Sequence, residues 1–188
     1  MKKFIIALVI ALSIPLQGLC FIGHATYLDI PINGTITKFE KALTGKHKFE
    51  LVDKADKNGL RYYRGKYRDF TIGLTVQYDP ASQTVYAVSM FIPTETVEEA
   101  FKIKNYLGDV IPEDWYVVLR DSRHGKAPSL EVYMMEEDLQ YADRISLFDN
   151  DFEVGWMEIY VGKSGEEFMV VVDMYDLVNG QKFNKLPQ

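Results

Sequence analysis

The sequence predicts an α+β fold: a mostly antiparallel sheet with two amphipathic helices on one face. Alternating apolar and polar residues at 71–92 and 153–176 indicate two hairpins. Apolar residues at helical spacing near 35–44 and 96–108 indicate two helices. Because each helix is followed by several strands, the order also raises the hypothesis of two tandem helix-plus-sheet halves.

The first residues have the order of a secretory signal peptide. Lys2 and Lys3 precede an apolar run from Phe4 to Leu12, and Pro15 follows it. This charged, apolar, then polar order is typical of an exported precursor. The run is too short for the roughly 20 residues that a membrane-spanning helix needs. We therefore expect residues 1–25 to be a signal peptide and the mature chain to be periplasmic or secreted, with no transmembrane segment.

Two cleavage frames satisfy the preference for small residues, one before Phe21 and one before Thr26. We expect cleavage between residues 20 and 25, and both frames stay open. Cys20 raises the alternative of a lipidated cysteine, but Leu19 stands where a small residue is expected. The sequence therefore favours an unlipidated product over a lipoprotein.

Length and composition predict a single α+β domain over residues 26–188. Of the 188 residues, 47% are hydrophobic and 13% aromatic, which is enough for a sizeable core. Cys20 is the single cysteine, so no disulfide can form within the chain. The formal net charge is −6, and it becomes −8 without Lys2 and Lys3. An acidic chain is a poor binder of phosphate backbones, so we do not expect nucleic acid as a partner.

In the first half, a short apolar stretch at 27–32 precedes a helix that Thr35 caps and Gly45 ends. The buried face of this helix is predicted to hold Ile36, Phe39 and Leu43. Strands are predicted at 49–54, 60–68, 70–78 and 84–92. Residues 79–83, Asp-Pro-Ala-Ser-Gln, join the last two strands as a hairpin loop.

In the second half, Thr96 and Glu99 form a capping box that begins a helix, and Gly108 and Pro112 stop it. Its buried stripe is predicted to hold Val97, Ala100, Phe101, Ile103 and Leu107. Strands are predicted at 115–120, 129–135, 153–162 and 166–176, with a turn at 162–165. Segment 136–148 fits neither pattern.

Two stretches resemble a known group of proteins. Residues 27–36, Tyr-Leu-Asp-Ile-Pro-Ile-Asn-Gly-Thr-Ile, are similar to the opening of a group of small exported bacterial proteins of unknown function. Residues 64–73, Arg-Gly-Lys-Tyr-Arg-Asp-Phe-Thr-Ile-Gly, resemble the glycine and aromatic strand pair of that group. The similarity covers mainly residues 27–92, and Asp29 departs from the glycine of the group. The resemblance implies an exported α+β domain and carries over no catalytic residue.

The strongest candidate surface is the strand at 61–68. From Lys38 to Arg68 the chain has ten Lys or Arg against four acidic residues, whereas from Glu131 to Glu158 nine acidic residues face only Arg144. In an extended strand, alternate side chains share a face. The predicted ligand- or partner-binding residues are Tyr62, Arg64, Lys66 and Arg68. A basic face with aromatic edges suits an acidic protein or an acidic glycan, although a solvated sheet face or a charged edge is the plainer interpretation.

Other chemistry-bearing patterns are weak. Residues 121–125, Asp-Ser-Arg-His-Gly, contain the letters of a hydrolase triad, but side chains so close along one chain point apart. Residues 149–153, Asp-Asn-Asp-Phe-Glu, fail the calcium-loop pattern because Val154 occupies the glycine position. His47 and His124 are the only imidazoles left if His24 lies in the signal peptide or a loose terminus. We therefore expect no metal site and no cofactor, and no catalytic residue is assigned.

These observations favour an exported, non-enzymatic binding or interaction module. The alternatives are a small envelope hydrolase and a structural component of the envelope. An enzyme would require a cleft in which a histidine or a carboxylate has a positioned partner.

Overall fold

One antiparallel sheet organises the protein. The computed structural model describes residues 23–114, 122–123, 143–149, 152–165 and 167–186. The strands are β1 (Thr26–Tyr27), β2 (Ile30–Pro31), β3 (Glu50–Ala55), β4 (Leu60–Tyr67), β5 (Phe70–Tyr78), β6 (Val85–Thr94), β7 (Ser122–Arg123), β8 (Asp143–Asp149), β9 (Phe152–Ser164) and β10 (Glu167–Asp176). The helices are α1 (Ile36–Gly45), α2 (Val97–Asp114) and α3 (Leu177–Phe183), and a 3₁₀ turn spans Asp56–Asn58. None of the helices in the described ranges is long and apolar enough to cross a membrane.

The large sheet has eight strands in the order β3-β4-β5-β6-β10-β9-β8-β7. Among the described residues, α1 is followed by β3–β6 and α2 by β7–β10, and these two sets of strands meet where β6 pairs with β10. This layout confirms the α+β class and the antiparallel sheet. Descent of the two halves from one duplicated unit stays a prediction.

The inner face of the sheet carries the core. Cross-strand pairing aligns one row of buried residues across five strands: Tyr63, Leu74, Met90, Val172 and Ile159. Helices α1 and α2 add their buried residues to the same hydrophobic cluster. Both helices therefore pack on one face, as the sequence predicts, and the opposite, outer face of the central strands lies outside that cluster.

Helix α1 has the predicted buried face of Ile36, Phe39 and Leu43. The predicted cap is wrong in its chemistry, because the Thr35 side chain makes no capping hydrogen bond. Thr35 instead forms a backbone bridge with Thr84, beside the hairpin loop between β5 and β6. A long-range backbone contact, which no local motif encodes, therefore fixes the start of this helix.

Helix α2 differs from its prediction at both ends. Thr96 does accept a hydrogen bond from the Glu99 amide at 3.2 Å, but the Glu99 carboxylate binds the Glu95 amide and not the amide of Thr96. The helix also continues past Gly108 and Pro112 to Asp114. Burial of Leu107 and Ile111, both 0% exposed, outweighs the roughly 1 kcal/mol that glycine costs within a helix.

The strand predictions hold within a few residues wherever the structure describes them. The predicted strands at 115–120 and 129–135 lie outside the described residues, and segment 136–148 proves to contain most of β8. The predicted turn at 162–165 is shorter, because β9 extends to Ser164. Gly165, with φ 64°, is the turn position that needs a left-handed backbone.

The sequence patterns missed the contact between the two ends of the described chain. The Asp176 carboxylate, 0% exposed, caps α3 through the Asn179 amide at 2.8 Å and also accepts the Ala25 amide at 2.9 Å. The Asn179 side chain donates to the backbone carbonyls of Ile32 and Val85. Ala25 is 2% exposed, so the fold includes residues on both sides of the expected signal boundary.

Candidate binding face

Strand β4 separates its side chains into two chemically different sets. Arg61, Tyr63 and Tyr67 are buried on the inner face. Tyr62 is half-buried on the outer face, and Arg64 and Lys66 are exposed there. The alternation follows from the pleat of the strand, and the sequence predicted it.

The inward arginine is fully neutralised. Arg61 donates to Glu40 of α1 at 2.8 Å and to Asp56 at 3.1 Å. The hydroxyl of Tyr63 also donates to Glu40, and that of Tyr78 donates to Asp56 at 2.6 Å. The Tyr78 hydroxyl, followed by the Arg61 guanidinium, holds the pKa of Asp56 below its ordinary value. This network joins α1 to the sheet. Because two carboxylates compensate the positive charge of Arg61, this residue is a poor site for an acidic partner.

The outward cations have no such partners. Within the described ranges, the side chains of Arg64 and Lys66 form no hydrogen bond and no ion pair. The nearest residues on the same face across β5 are Gly73, opposite Arg64, and Thr71, opposite Lys66, and neither carries charge. Across β3, Glu50 lies opposite Arg64, and the described structure shows no ion pair between the two side chains. Two neighbouring positive charges are therefore open to solvent, with one carboxylate beside Arg64.

Arg68, the fourth predicted site residue, lies elsewhere. Strand β4 ends at Tyr67, and Arg68 has φ 49° in the turn that leads into β5. Its guanidinium donates to the Tyr106 hydroxyl of α2 at 3.0 Å and lies 5.8 Å from the centre of that ring. The expectation that Arg68 shares the face of Arg64 is wrong, because the chain reverses one residue earlier than predicted.

A groove runs across the outer face beside Arg64. Its volume is about 390 Å³. The side chains along it are Val52, Arg64, Thr71, Phe91, Pro93 and Met169, with Gly73 among them. Strand β3 has a β-bulge between Leu51 and Asp53, and Val52 at this bulge is 65% exposed. The sequence analysis missed this groove; glycine within a strand pattern, as at Gly73, was the available signal.

The centre of the outer face is polar. Thr75, Ser89 and Asp173 align across β5, β6 and β10, and each is at most 9% exposed. The Tyr160 hydroxyl donates to Asp173 at 2.9 Å. Burial, followed by the Asp173 carboxylate, raises the pKa of Tyr160, which keeps that hydroxyl protonated as a donor.

Two histidines pair with carboxylates. His24 Nδ1 lies 3.0 Å from the buried Asp176, and His47 Nε2 lies 2.8 Å from Asp29. His24 is therefore part of the folded structure and not a loose terminus. Burial, its largest influence, raises the pKa of Asp176. Because this carboxylate also binds two backbone amides, the pair is best explained as an anchor for the N-terminal segment.

Metal chemistry finds no support in the described ranges, where no three His, Cys, Asp or Glu side chains gather around one point. Residues 150 and 151 of the calcium candidate and residues 121, 124 and 125 of the triad-like segment lie outside the described residues. Among the residues that the structure describes, the outer face near Arg64 offers charge and apolar surface.

Comparison of the chain with family models, with curated proteins and with solved structures finds no match.

Proposed function

We propose that the protein is an exported, non-enzymatic binding module and that an acidic partner, a protein or a glycan, binds the outer face of β4. The observation that carries this proposal is the contrast between Arg61, which two carboxylates neutralise, and Arg64 and Lys66, which have no ion pair. The half-buried Tyr62 ring adds a surface for stacking at the same face.

The overall charge makes this contrast more informative. In a chain of net charge −6, an acidic partner is repelled by most of the surface and attracted only where cations are concentrated. Such attraction mainly raises the association rate and is screened beyond about 8 Å at physiological ionic strength. Binding at Arg64 and Lys66 is therefore expected to weaken as salt rises.

The test compares Arg64→Gln/Lys66→Gln with Lys38→Gln/Lys41→Gln. The second pair changes net charge equally at exposed positions of α1, on the other side of the sheet. Heparin and poly-glutamate immobilised on sensor surfaces serve as the glycan and polypeptide probes. We expect the β4 variant to bind at least one probe roughly tenfold more weakly, from about 0.7 kcal/mol for each charge. The α1 variant should bind as the unchanged protein does.

Equal loss in both variants would mean that binding follows net charge alone and would contradict the assigned face. Equal binding by all three proteins would also contradict it. Thermal unfolding of each variant shows whether the fold is kept, and solvent-facing changes of this kind usually alter stability by no more than about 0.5 kcal/mol.

Export belongs to the same proposal. It is supported by the order of residues 2–15, and the contacts of His24 and Ala25 favour cleavage before Phe21 over cleavage before Thr26. The later cut would remove both residues, and with them two of the partners of the buried Asp176 carboxylate. The mass of the protein from an envelope fraction should therefore begin at Phe21. A mass that begins at Thr26 would contradict this.

A further inference from the structure

We propose that the groove beside Arg64 binds a small amphipathic organic anion, with one carboxylate on the guanidinium and an apolar tail against Phe91, Pro93 and Met169. This inference rests on the proposed function, because it assigns a chemical class of ligand to the same face. It goes beyond the acidic protein or glycan proposed above, since the groove suits a small ligand with one charge at one end and not a chain of charges.

Strand register creates the space for the tail. Gly73 lies between Arg64 on β4 and Phe91 on β6, so the middle position of that row has no side chain. A Cβ built on Gly73 would meet only the Cβ of Phe91, at 3.9 Å, which is an ordinary contact. The volume of about 390 Å³ falls within the range of roughly 300–1,000 Å³ for small-molecule sites.

The lining fixes the sign of the ligand's charge. Arg64 is the one charged side chain among the residues along the groove, and it has no ion pair in the described structure. A guanidinium presents parallel N–H donors that match both oxygens of a carboxylate. Thr71, which is exposed, borders the same space. Glu50 lies across β3 from Arg64 and is not among the lining residues, so the charge that faces the groove at this end is positive.

The surroundings limit the number of charges. Beyond Pro93 lies a second depression, lined by Glu95, Glu99 and Glu167. These carboxylates repel any second negative charge at the far end of the groove. The ligand that fits both ends therefore has a single carboxylate, which binds Arg64, and an uncharged apolar tail that extends toward Met169.

Octanoate is the probe, measured by calorimetric titration against the complete mature chain. Three matched compounds separate its parts: octanol lacks the charge, octyltrimethylammonium reverses it, and acetate lacks the tail. We expect octanoate to bind, octanol to bind at least tenfold more weakly, and the other two compounds to give no heat of binding. Octanol binding as tightly as octanoate, or octanoate giving no binding, overturns the inference.

Gly73→Val fills the groove, and Gly45→Val is its control. Gly45 is the last residue of α1, on the other side of the sheet, where a Cβ would meet no atom within 4 Å. We expect only Gly73→Val to abolish octanoate binding. If Gly73→Val does not fold, Val52→Glu at the exposed bulge replaces it. The new carboxylate would repel the probe, and a substitution at this exposed position should leave the fold intact.

Octanoate binding that survives in a folded Gly73→Val protein, or in Val52→Glu, overturns the assigned groove. Failure here is distinguishable from failure of the proposed function. Gly73→Val leaves Arg64 and Lys66 in place, so it should still capture heparin or poly-glutamate wherever the unchanged protein does. Loss of polyanion capture only in the Arg64→Gln/Lys66→Gln variant supports the face without the groove.

Discussion

Gly65 on β4 holds space for an aromatic ring, and replacing it with alanine should destabilise the protein. Gly65 lies on the inner face beside Phe49, which immediately precedes β3 and is 3% exposed. A Cβ on Gly65 would lie 2.5–2.6 Å from three ring carbons of Phe49. Carbon atoms in contact prefer separations of about 3.5–4.0 Å, so the ring must move by roughly 1 Å.

The magnitude follows from two opposing effects. Overpacking of a core costs about 1–3 kcal/mol, whereas removing a glycine from a strand gains about 0.5–1 kcal/mol. Gly65→Ala should therefore lower the free energy of unfolding by about 1 kcal/mol, or lower Tm by about 2–4 °C in a domain of this size. Gly73→Ala is the matched control, since its Cβ makes only a 3.9 Å contact, and it should stabilise the protein slightly.

Urea unfolding followed by tyrosine and tryptophan fluorescence measures both variants. The same change in a Phe49→Ala background isolates the cause, because that substitution removes all three ring carbons that Gly65→Ala would meet. In this background Gly65→Ala should become neutral or stabilising, which corresponds to a coupling of about 1–3 kcal/mol. The same loss in both backgrounds, or a stabilising Gly65→Ala in the unchanged protein, would refute the steric argument.

Two further predictions concern the carboxylates of Asp176, which is buried, and Asp56, which is exposed. A chain beginning at Thr26 should unfold in urea with roughly 2–4 kcal/mol less stability than one beginning at Phe21, because Asp176 loses a charged hydrogen bond and the core loses a methyl group; equal stability would contradict the anchoring role. Because the folded pKa of Asp56 is lowered, its contribution is present above the ordinary value of 3.8 and is lost as pH falls through the folded pKa. The stabilities of the unchanged protein and Asp56→Asn should therefore converge on acidification below about pH 4, and parallel curves would contradict this.

Local patterns predicted the elements well where the spacing of buried residues matches the period of the strand or helix that contains them. The alternation of β5, with Ile72, Leu74 and Val76 buried, and the spacing of Ile36, Phe39 and Leu43 in α1 could be interpreted directly. Errors arose where long-range packing decided the outcome. Because Leu107 and Ile111 are buried, α2 continues past Gly108. At the start of α1, a backbone bridge takes the place of the predicted side-chain cap.

The candidate site divides in the same way. That Tyr62, Arg64 and Lys66 share a face follows from the period of a strand, so the sequence alone predicted it. That Arg61 is neutralised depends on Glu40, twenty-one residues away on a helix, and that Arg68 turns toward Tyr106 depends on where β4 ends. Neither distance nor direction between such residues is encoded in local spacing.

The sequence by itself determined the positions of helices α1 and α2 and of the main hairpins, the α+β class and the two-sided character of β4, because these depend on the chemistry of residues a few positions apart. Only the tertiary structure decided which charges stay unpaired and where the groove lies. The groove needs Gly73, Phe91 and Met169 on three different strands, and their alignment comes from the pairing of β5 with β6 and of β6 with β10. Strand order and register are set by burial of the whole inner face, a property of the assembled sheet and not of any one segment.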